Sequence, residues 1–410
     1  MRKKGGSRMS ARWLCMGLGL LSALAVNAEP LSLLAPALTG GRLHLDSRLR
    51  WEQVDESAAA ANADAFTVRA RLGYTTSKWN RLDAGIEYSG TAAAAAEEYD
   101  SRRNGRTRYS TIADPTASSL HQAWLRWLAP YAFTAKLGRQ RLEFDQGRYL
   151  GSDDFRQQAQ SFDGVTLAND YLPDTVVEVS WLTQANTVLA TRLPLQAYVL
   201  RSRYEGYPLA NVLAYGYWLN FGPDSAALRD TRTLGLRLSG SGEAAGLQLS
   251  YALEAAQQAH FANSPQGINA RYGLAQISAW LPKLGPVTAP ALTLAVEVLG
   301  GDGRYGFSTP LASLHQFQGA ANLFTTTPAD GVRDYQAALS GSFGATTLQL
   351  QGHRFDADHD TRHYGDELDV RVERAIWGKR MKLGAQYAGY RAAGFGNDTR
   401  KTWLWLEAIL

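Results

Sequence analysis

Arginine recurs at alternate positions in this chain, and its spacing is what could do chemistry. Arg48 and Arg50, then Arg69 and Arg71, stand two apart in runs whose intervening residues are mostly apolar. Side chains two apart on an extended strand share a face, so each pair projects to one side. The same parity brings in Arg126, Lys136, Arg237 and Arg371. Arg139 joins them on condition that Gly138 introduces a bulge; simple parity after Leu137 turns it outward. A guanidinium stays charged in any surroundings, and its planar fork suits carboxylates and phosphates. Rings of such groups are how a pore favours anions. The plainer alternative is that these cations stiffen a wall by pairing with Asp46, Glu52, Asp83, Glu87, Glu178, Glu254, Glu297 and Glu373, which have the same inward parity. Asp46 and Glu52 alone cannot neutralise Arg48, Arg50, Arg69 and Arg71, so a residual positive potential is expected there.

Such residues need a scaffold with one wet face and one greasy face. From Arg42 to Glu52 the odd positions Leu43, Leu45, Leu49 and Trp51 are apolar, while every even position is titratable. The pattern returns at Phe66–Tyr74 and at Leu82–Tyr88. Segments of about ten residues with this dyad period, separated by turn residues, are the signature of a transmembrane β-barrel. Alternation predicts about eighteen strands. The first nine lie near 42–53, 65–76, 80–90, 119–128, 132–142, 162–169, 174–183, 195–203 and 210–221. The other nine lie near 231–240, 246–257, 269–280, 291–300, 331–342, 346–356, 366–375, 380–391 and 401–410. Those at 195–203 and 269–280 alternate poorly.

Connections alternate between long (54–64, 91–118, 143–161, 184–194, 301–330) and short (77–79, 129–131, 170–173, 343–345, 376–379). Outer-membrane barrels place long loops outside and short turns, with both termini, on the periplasmic side. The turn at 281–290, with three prolines, is the long one among the short. Loops 91–118, 143–161 and 301–330 are long enough to fold inward as a constriction. Trp51, Tyr74, Trp79, Tyr88, Trp127, Tyr131, Phe133 and Trp181 sit near strand ends, as girdle aromatics do.

The N-terminus reads as a separate unit. Arg2, Lys3, Lys4, Arg8 and Arg12 precede an apolar stretch, Trp13 to Val26, and Val26-Asn27-Ala28 suits cleavage after Ala28. Residues 1–28 are therefore expected to be a signal peptide, and 29–410 a single barrel domain. Cys15, the only cysteine, leaves with the peptide, which excludes disulfides and cysteine-bound metal from the mature chain. The chain has 42 basic and 38 acidic residues, but five basic ones belong to the signal peptide. The remainder is close to neutral, with 31 arginines and 6 lysines. No global basic field points to nucleic acid, and no run of apolar residues is long enough for a membrane helix.

Three stretches resemble the alginate export family of outer-membrane porins. One is Gly138 to Phe144, followed by Gly147-Arg148, Phe155-Arg156-Gln157 and Ser161 to Val165. The second is Phe307 to Gly319. The third comprises Gly331 to Asp334 and Tyr364 to Asp369. The resemblance implies an eighteen-stranded barrel with an arginine-lined pore for an anionic polysaccharide, working with periplasmic export partners. Two features depart from that pattern. The turn Ile376 to Lys379 is short where alginate exporters carry a long periplasmic loop, and the chain ends on Leu410 rather than an aromatic residue.

Catalysis finds little support. No G-x-S-x-G motif follows the signal peptide, and no phosphate-binding loop is present. His353, Asp356, Asp358, His359, Asp360 and His363 have the types of metal ligands, but they fall on an expected extracellular loop, where solvated acids are common. No cofactor is expected. The reading is an outer-membrane channel passing an anionic or hydrophilic solute through an arginine-bearing lumen. The alternatives are a general or sugar-specific uptake porin, or a barrel enzyme or adhesin acting through its loops.

Overall fold

A computed structural model describes residues 35–222, 228–378 and 380–410. The expected signal peptide, residues 1–28, and Cys15 lie outside the described residues. Eighteen strands form the barrel wall. The first six are β1 (Arg42–Glu56), β2 (Ala63–Thr75), β3 (Leu82–Ala93), β4 (Ala117–Ala129), β5 (Phe133–Gln140) and β6 (Ser161–Asn169). Next come β7 (Thr175–Asn186), β8 (Arg192–Tyr204), β9 (Asn211–Asn220), β10 (Thr231–Ala244), β11 (Leu247–His260) and β12 (Asn269–Trp280). The last six are β13 (Val287–Leu299), β14 (Val332–Phe343), β15 (Thr346–Asp356), β16 (His363–Ile376), β17 (Met381–Ala392) and β18 (Thr399–Ile409).

Every strand pairs antiparallel with the next, and β18 returns to β1 with Asp46 opposite Ile409 and Glu56 opposite Thr399. Backbone bonds between Leu45 and Leu410 finish the seam. Closure leaves no sheet edge, which is what lets strands cross a hydrocarbon layer. Both weakly alternating segments, 195–203 and 269–280, are strands. The proline-rich turn carries a two-residue ribbon, Lys283–Leu284, that pairs back onto the base of β13. Among the described residues no helix is long and apolar enough to cross a membrane.

The dyad pattern of the sequence becomes two solvents. On β2, Arg71 is 1 % exposed while Leu72 is 55 % exposed. The outward set includes Leu43, Phe66, Ile86, Leu125, Trp181, Leu253, Leu294 and Leu383. These side chains would be a liability in water and are the expected surface toward lipid. The buried core is instead inside the barrel. It is built from inward aromatics of β9 to β18, such as Tyr215, Tyr217, Tyr272, Phe355 and Trp403. Against them pack loop residues, among them Phe144, Tyr149, Leu150, Phe307, Leu311 and Phe324.

One inward glycine is required by close approach. Gly384 of β17 lies directly opposite Trp405 of β18, and a Cβ there would fall 2.0 Å from the indole. The ring lies flat over the missing side chain, covering the bare backbone much as aromatics shield strand glycines.

Candidate functional site: a cation-lined lumen under inward loops

The arginines of β1 and β2 face the lumen together. Register places Arg48 directly opposite Arg69, and Asp46 opposite Arg71. Like charges in that position repel, so carboxylates must intervene. Arg69 donates to Asp46 Oδ1 at 2.6 Å and to Glu407 Oε1 of β18 at 3.2 Å. Arg48 reaches the same Glu407 oxygen at 2.8 Å. Two loops supply the rest. Asp154 accepts from Arg71 at 2.6 Å, and Asp114 pairs closely with Arg50. Arg156 adds a further cation, donating to both oxygens of Glu52 at 3.3 Å. The expected excess of charge here is therefore smaller than β1 and β2 alone imply, because Asp114, Asp154 and Glu407 are brought in from distant parts of the chain.

Three long loops, 94–116, 141–160 and 300–331, fold inward as expected, and the first two carry Asp114 and Asp154. The loop after β5 crosses the lumen and is bound at both ends. On one side Arg48 and Arg50 donate to the Phe155 carbonyl at 3.0 and 2.5 Å. On the other, the Tyr215 hydroxyl donates to Glu254 Oε1 at 2.6 Å and accepts from the Tyr149 hydroxyl at 2.7 Å, which itself stands 3.1 Å from the same carboxylate oxygen. Arg148 lies 3.0 Å from Glu297, which also accepts from Tyr272 and Gln318. Tyrosine hydroxyls and carboxylates are thus satisfied in a packed block along β9 to β13. That side of the lumen is packed.

The other side holds cavities. The Phe155 and His315 rings stack at 3.3 Å, with Trp403 edge-on to both. Above this contact lies a cavity of about 330 Å³ whose lining includes Asp153, Arg156, Leu314 and Lys401. Below it lies one of about 500 Å³ that includes Arg48, Arg141, Asp154, His315, Arg371, Lys382 and Trp405. Neighbouring residues of one loop thus face opposite cavities. Arg102, Arg229 and Arg304 line an outer vestibule with no carboxylate among its described lining residues.

Loop groups respond to this setting in opposite ways. Burial, aided by Asp114 and Glu143, pushes Asp153 up to about 6. Burial acts the same way on Asp154, but Arg71, Arg141, Arg69 and Arg48 outweigh it and hold that carboxyl well below the usual range. Burial and the surrounding cations Arg156, Arg371, Lys401 and Arg50 keep the His315 imidazole neutral.

The remaining sequence candidates are spread over several groups. Arg126 pairs with Asp83, and Lys136 lies 4.5 Å over the Trp124 ring beside it. Arg237 donates to Glu254 at 2.7 Å, at the edge of the packed side. Arg371 stands over Trp405 and donates to Glu373 at 3.0 Å, facing the lower cavity. Arg139 is a correction. Gly138 has φ +114°, yet register continues unbroken from Gly138–Trp124 to Arg139–Ala123. The side chain therefore stays on the outer face, bidentate to Asp163.

The acids and histidines of 353–363 do not converge. His353 points inward to Asp334 at 2.9 Å, His363 pairs with Asp356 at 2.8 Å, and Asp358 pairs with Arg333 at 2.8 Å. Among the described residues no three potential ligands gather around a common point. Parity could not reveal the loop residues Arg141, Arg148, Arg156, Asp114, Asp154 or Gln316 as lumen residues, whereas Lys382 on β17 shares the inward parity of Gly384 and Gln386 and was overlooked. A signal did exist for some of them. The motifs at 138–165 and 307–319 fall on the two loops that meet at Phe155 and His315.

The alginate export family model matches residues 46–188, from β1 to just past β7. Pseudomonas aeruginosa OccK9 (OpdG) superposes with a TM-score of 0.72 at 17 % identity, covering 91 % of this chain and 99 % of that one. Pseudomonas aeruginosa OpdK, solved with vanillate, gives 0.70 at 14 % identity with the same coverage. Acinetobacter baumannii OccAB4 gives 0.68 at 13 %, covering 90 % and 98 %. No curated protein matches the chain. A closed wall that turns leucine outward and arginine inward needs lipid around it, and the family match agrees: the protein is a porin-type β-barrel of the bacterial outer membrane, resembling the alginate export family over residues 46–188.

Proposed function

We propose that the protein is a passive channel admitting small anionic solutes across the outer membrane, with residues 1–28 acting as its signal peptide. One observation carries the reading. In the lower cavity Arg48, Arg50, Arg141, Arg371 and Lys382 face Asp46, Asp154, Glu373 and Glu407, so cations prevail where a solute must pass. The vestibule arginines extend that bias outward and would raise the local concentration of anions. The similar fold solved with vanillate, itself a small carboxylate, supports a cargo of that kind.

Secretion of an anionic polymer is the second reading, favoured by the family match. Against it stand the short turn between β16 and β17, where alginate exporters carry a long periplasmic loop, and the loops that meet across the lumen at Phe155 and His315 in the way of a threaded chain.

Planar-bilayer recording tests the channel. In a KCl gradient the reversal potential should indicate chloride preference. Arg371→Gln with Lys382→Gln should move it toward zero by removing two charges while keeping polarity. An unchanged potential would assign these cations to wall pairing. A folded barrel with no current would favour a plugged barrel acting through its surface loops.

A further inference from the structure

Beside the cation-lined cavity lies a second chamber of about 330 Å³ with a different chemistry. The inward positions of β14, β15 and β17 place Gln336, Gln349, Gln351 and Gln386 on its wall. Three of these form a relay. Gln349 donates to Gln351 Oε1 at 3.2 Å, Gln351 to Gln336 Oε1 at 3.4 Å, and Gln336 to Asp334 at 2.8 Å. A primary amide has two N–H donors and an acceptor oxygen with two lone pairs. Each relay member therefore spends only part of its capacity on its neighbour.

The far wall has more to offer. Gln386 is 7 % exposed, and among the described residues its Oε1 has no hydrogen-bond partner. Asp369 Oδ1, on the same wall, is likewise without a partner. Buried polar atoms are ordinarily satisfied, and leaving them bare is costly. The two chambers adjoin, with His315, Gln316 and Arg371 lining both, so one solute reaching past Arg371 would touch each.

The geometry points to a two-part binding site for a polyhydroxylated monocarboxylate, a sugar acid in chemical class. Its carboxylate would meet Arg371 and Arg48, and its hydroxyls would meet Gln336, Gln351 and Gln386. A hydroxyl both donates and accepts, as an amide does, so a polyol can complete the relay without moving a charge. An aliphatic carboxylate of similar length has nothing to offer these amides and leaves them unpaired. Sites built to bond a hydroxyl discriminate strongly against analogues lacking it. Chambers of about 330 and 500 Å³ are on the scale of small-molecule sites, roughly 300–1,000 Å³. The inference deepens the proposed function and rests on it for the carboxylate half.

Calorimetric titration of the folded barrel in detergent tests the site without requiring conduction. Sodium gluconate should bind roughly tenfold more tightly than sodium hexanoate, the equivalent of about one or two net hydrogen bonds, and more tightly than glucose. Gln351→Leu and Gln386→Leu should each lower gluconate affinity about threefold to tenfold and leave hexanoate unchanged. Gln351→Met, closer in shape, guards against misfolding, with heat-modifiable gel migration as the check on closure. Equal binding of gluconate and hexanoate, no binding of either, or a gluconate preference that survives both substitutions would overturn the site. Gluconate binding without any ion current would instead sink the channel reading and leave the site standing. Chloride selectivity without gluconate preference would do the reverse.

Discussion

Asp153 and Asp154 are adjacent, and the lumen treats them oppositely. The native loop holds the Asp153 proton up to about pH 6, against 3.8 for the ordinary side chain. A raised acid costs stability as pH climbs through that window, because the native state then binds more protons than the unfolded one. Asp153→Asn should therefore stabilise the protein at pH 7.5, by on the order of 1–3 kcal/mol, and do nothing at pH 3. Thermal unfolding at the two pH values checks the sign. Asp154, lowered by its four arginines, contributes stability that is lost only in strong acid. A second residue-scale test concerns Gly384. The methyl of Gly384→Ala would displace Trp405 toward the lower cavity, costing about 1–3 kcal/mol by overpacking and reducing single-channel conductance. At this scale the sequence was half legible. Parity on regular strands located Arg48, Arg50, Arg69 and Arg71, because period two is a local property. Nothing local tells that Asp154 will reach Arg71, 83 residues away. For Arg139 the doubt lay in one glycine dihedral, and register decided it.

Among elements, the strands were legible and the loops were not. All eighteen lie where alternation placed them, since each must turn one face to lipid and one inward whatever its neighbours do. Even 195–203 and 269–280 obey: the first alternates poorly because Leu195 and Val199 turn inward to the core, the second because Ala270, Gly273 and Ala275 are small. Loop paths answer to packing instead. Phe155 and His315 meet because the 141–160 and 300–331 loops are both anchored, the first by Arg48 and Arg50, the second by backbone donors of Ala320 and Ala321 to Asp369 and Glu367. Phe155→Ala should remove the stack between the upper and lower cavities and raise conductance in KCl, with the barrel still migrating as a closed species. Unchanged conductance would place the narrowest point elsewhere.

For the whole molecule, the hoop and the hole are separate problems. Eighteen strands can enclose an aqueous channel, but here residues between Phe144 and Leu150, with Phe307 and Leu311, pack on β9 to β13 and fill that side of it. Charge selectivity should accordingly fade with salt, as the screening length shrinks from about 10 Å at 0.1 M to about 3 Å at 1 M. Reversal potentials measured at both concentrations, at a fixed gradient ratio, should show the anion preference strong in the first and weak in the second.

The loops that occupy the lumen also set an order of events in time. Arg48 binds the 154–155 backbone, Arg148 binds Gln318, and the β1–β18 seam joins residues more than 340 apart. Neighbouring strands can zip early and locally, whereas these attachments require most of the chain to be in place. Refolding into detergent should therefore run in two stages, with far-UV β signal arriving first. Protection of the 141–160 loop from protease would follow more slowly, so a newly closed barrel would pass through a leaky stage before its loops dock.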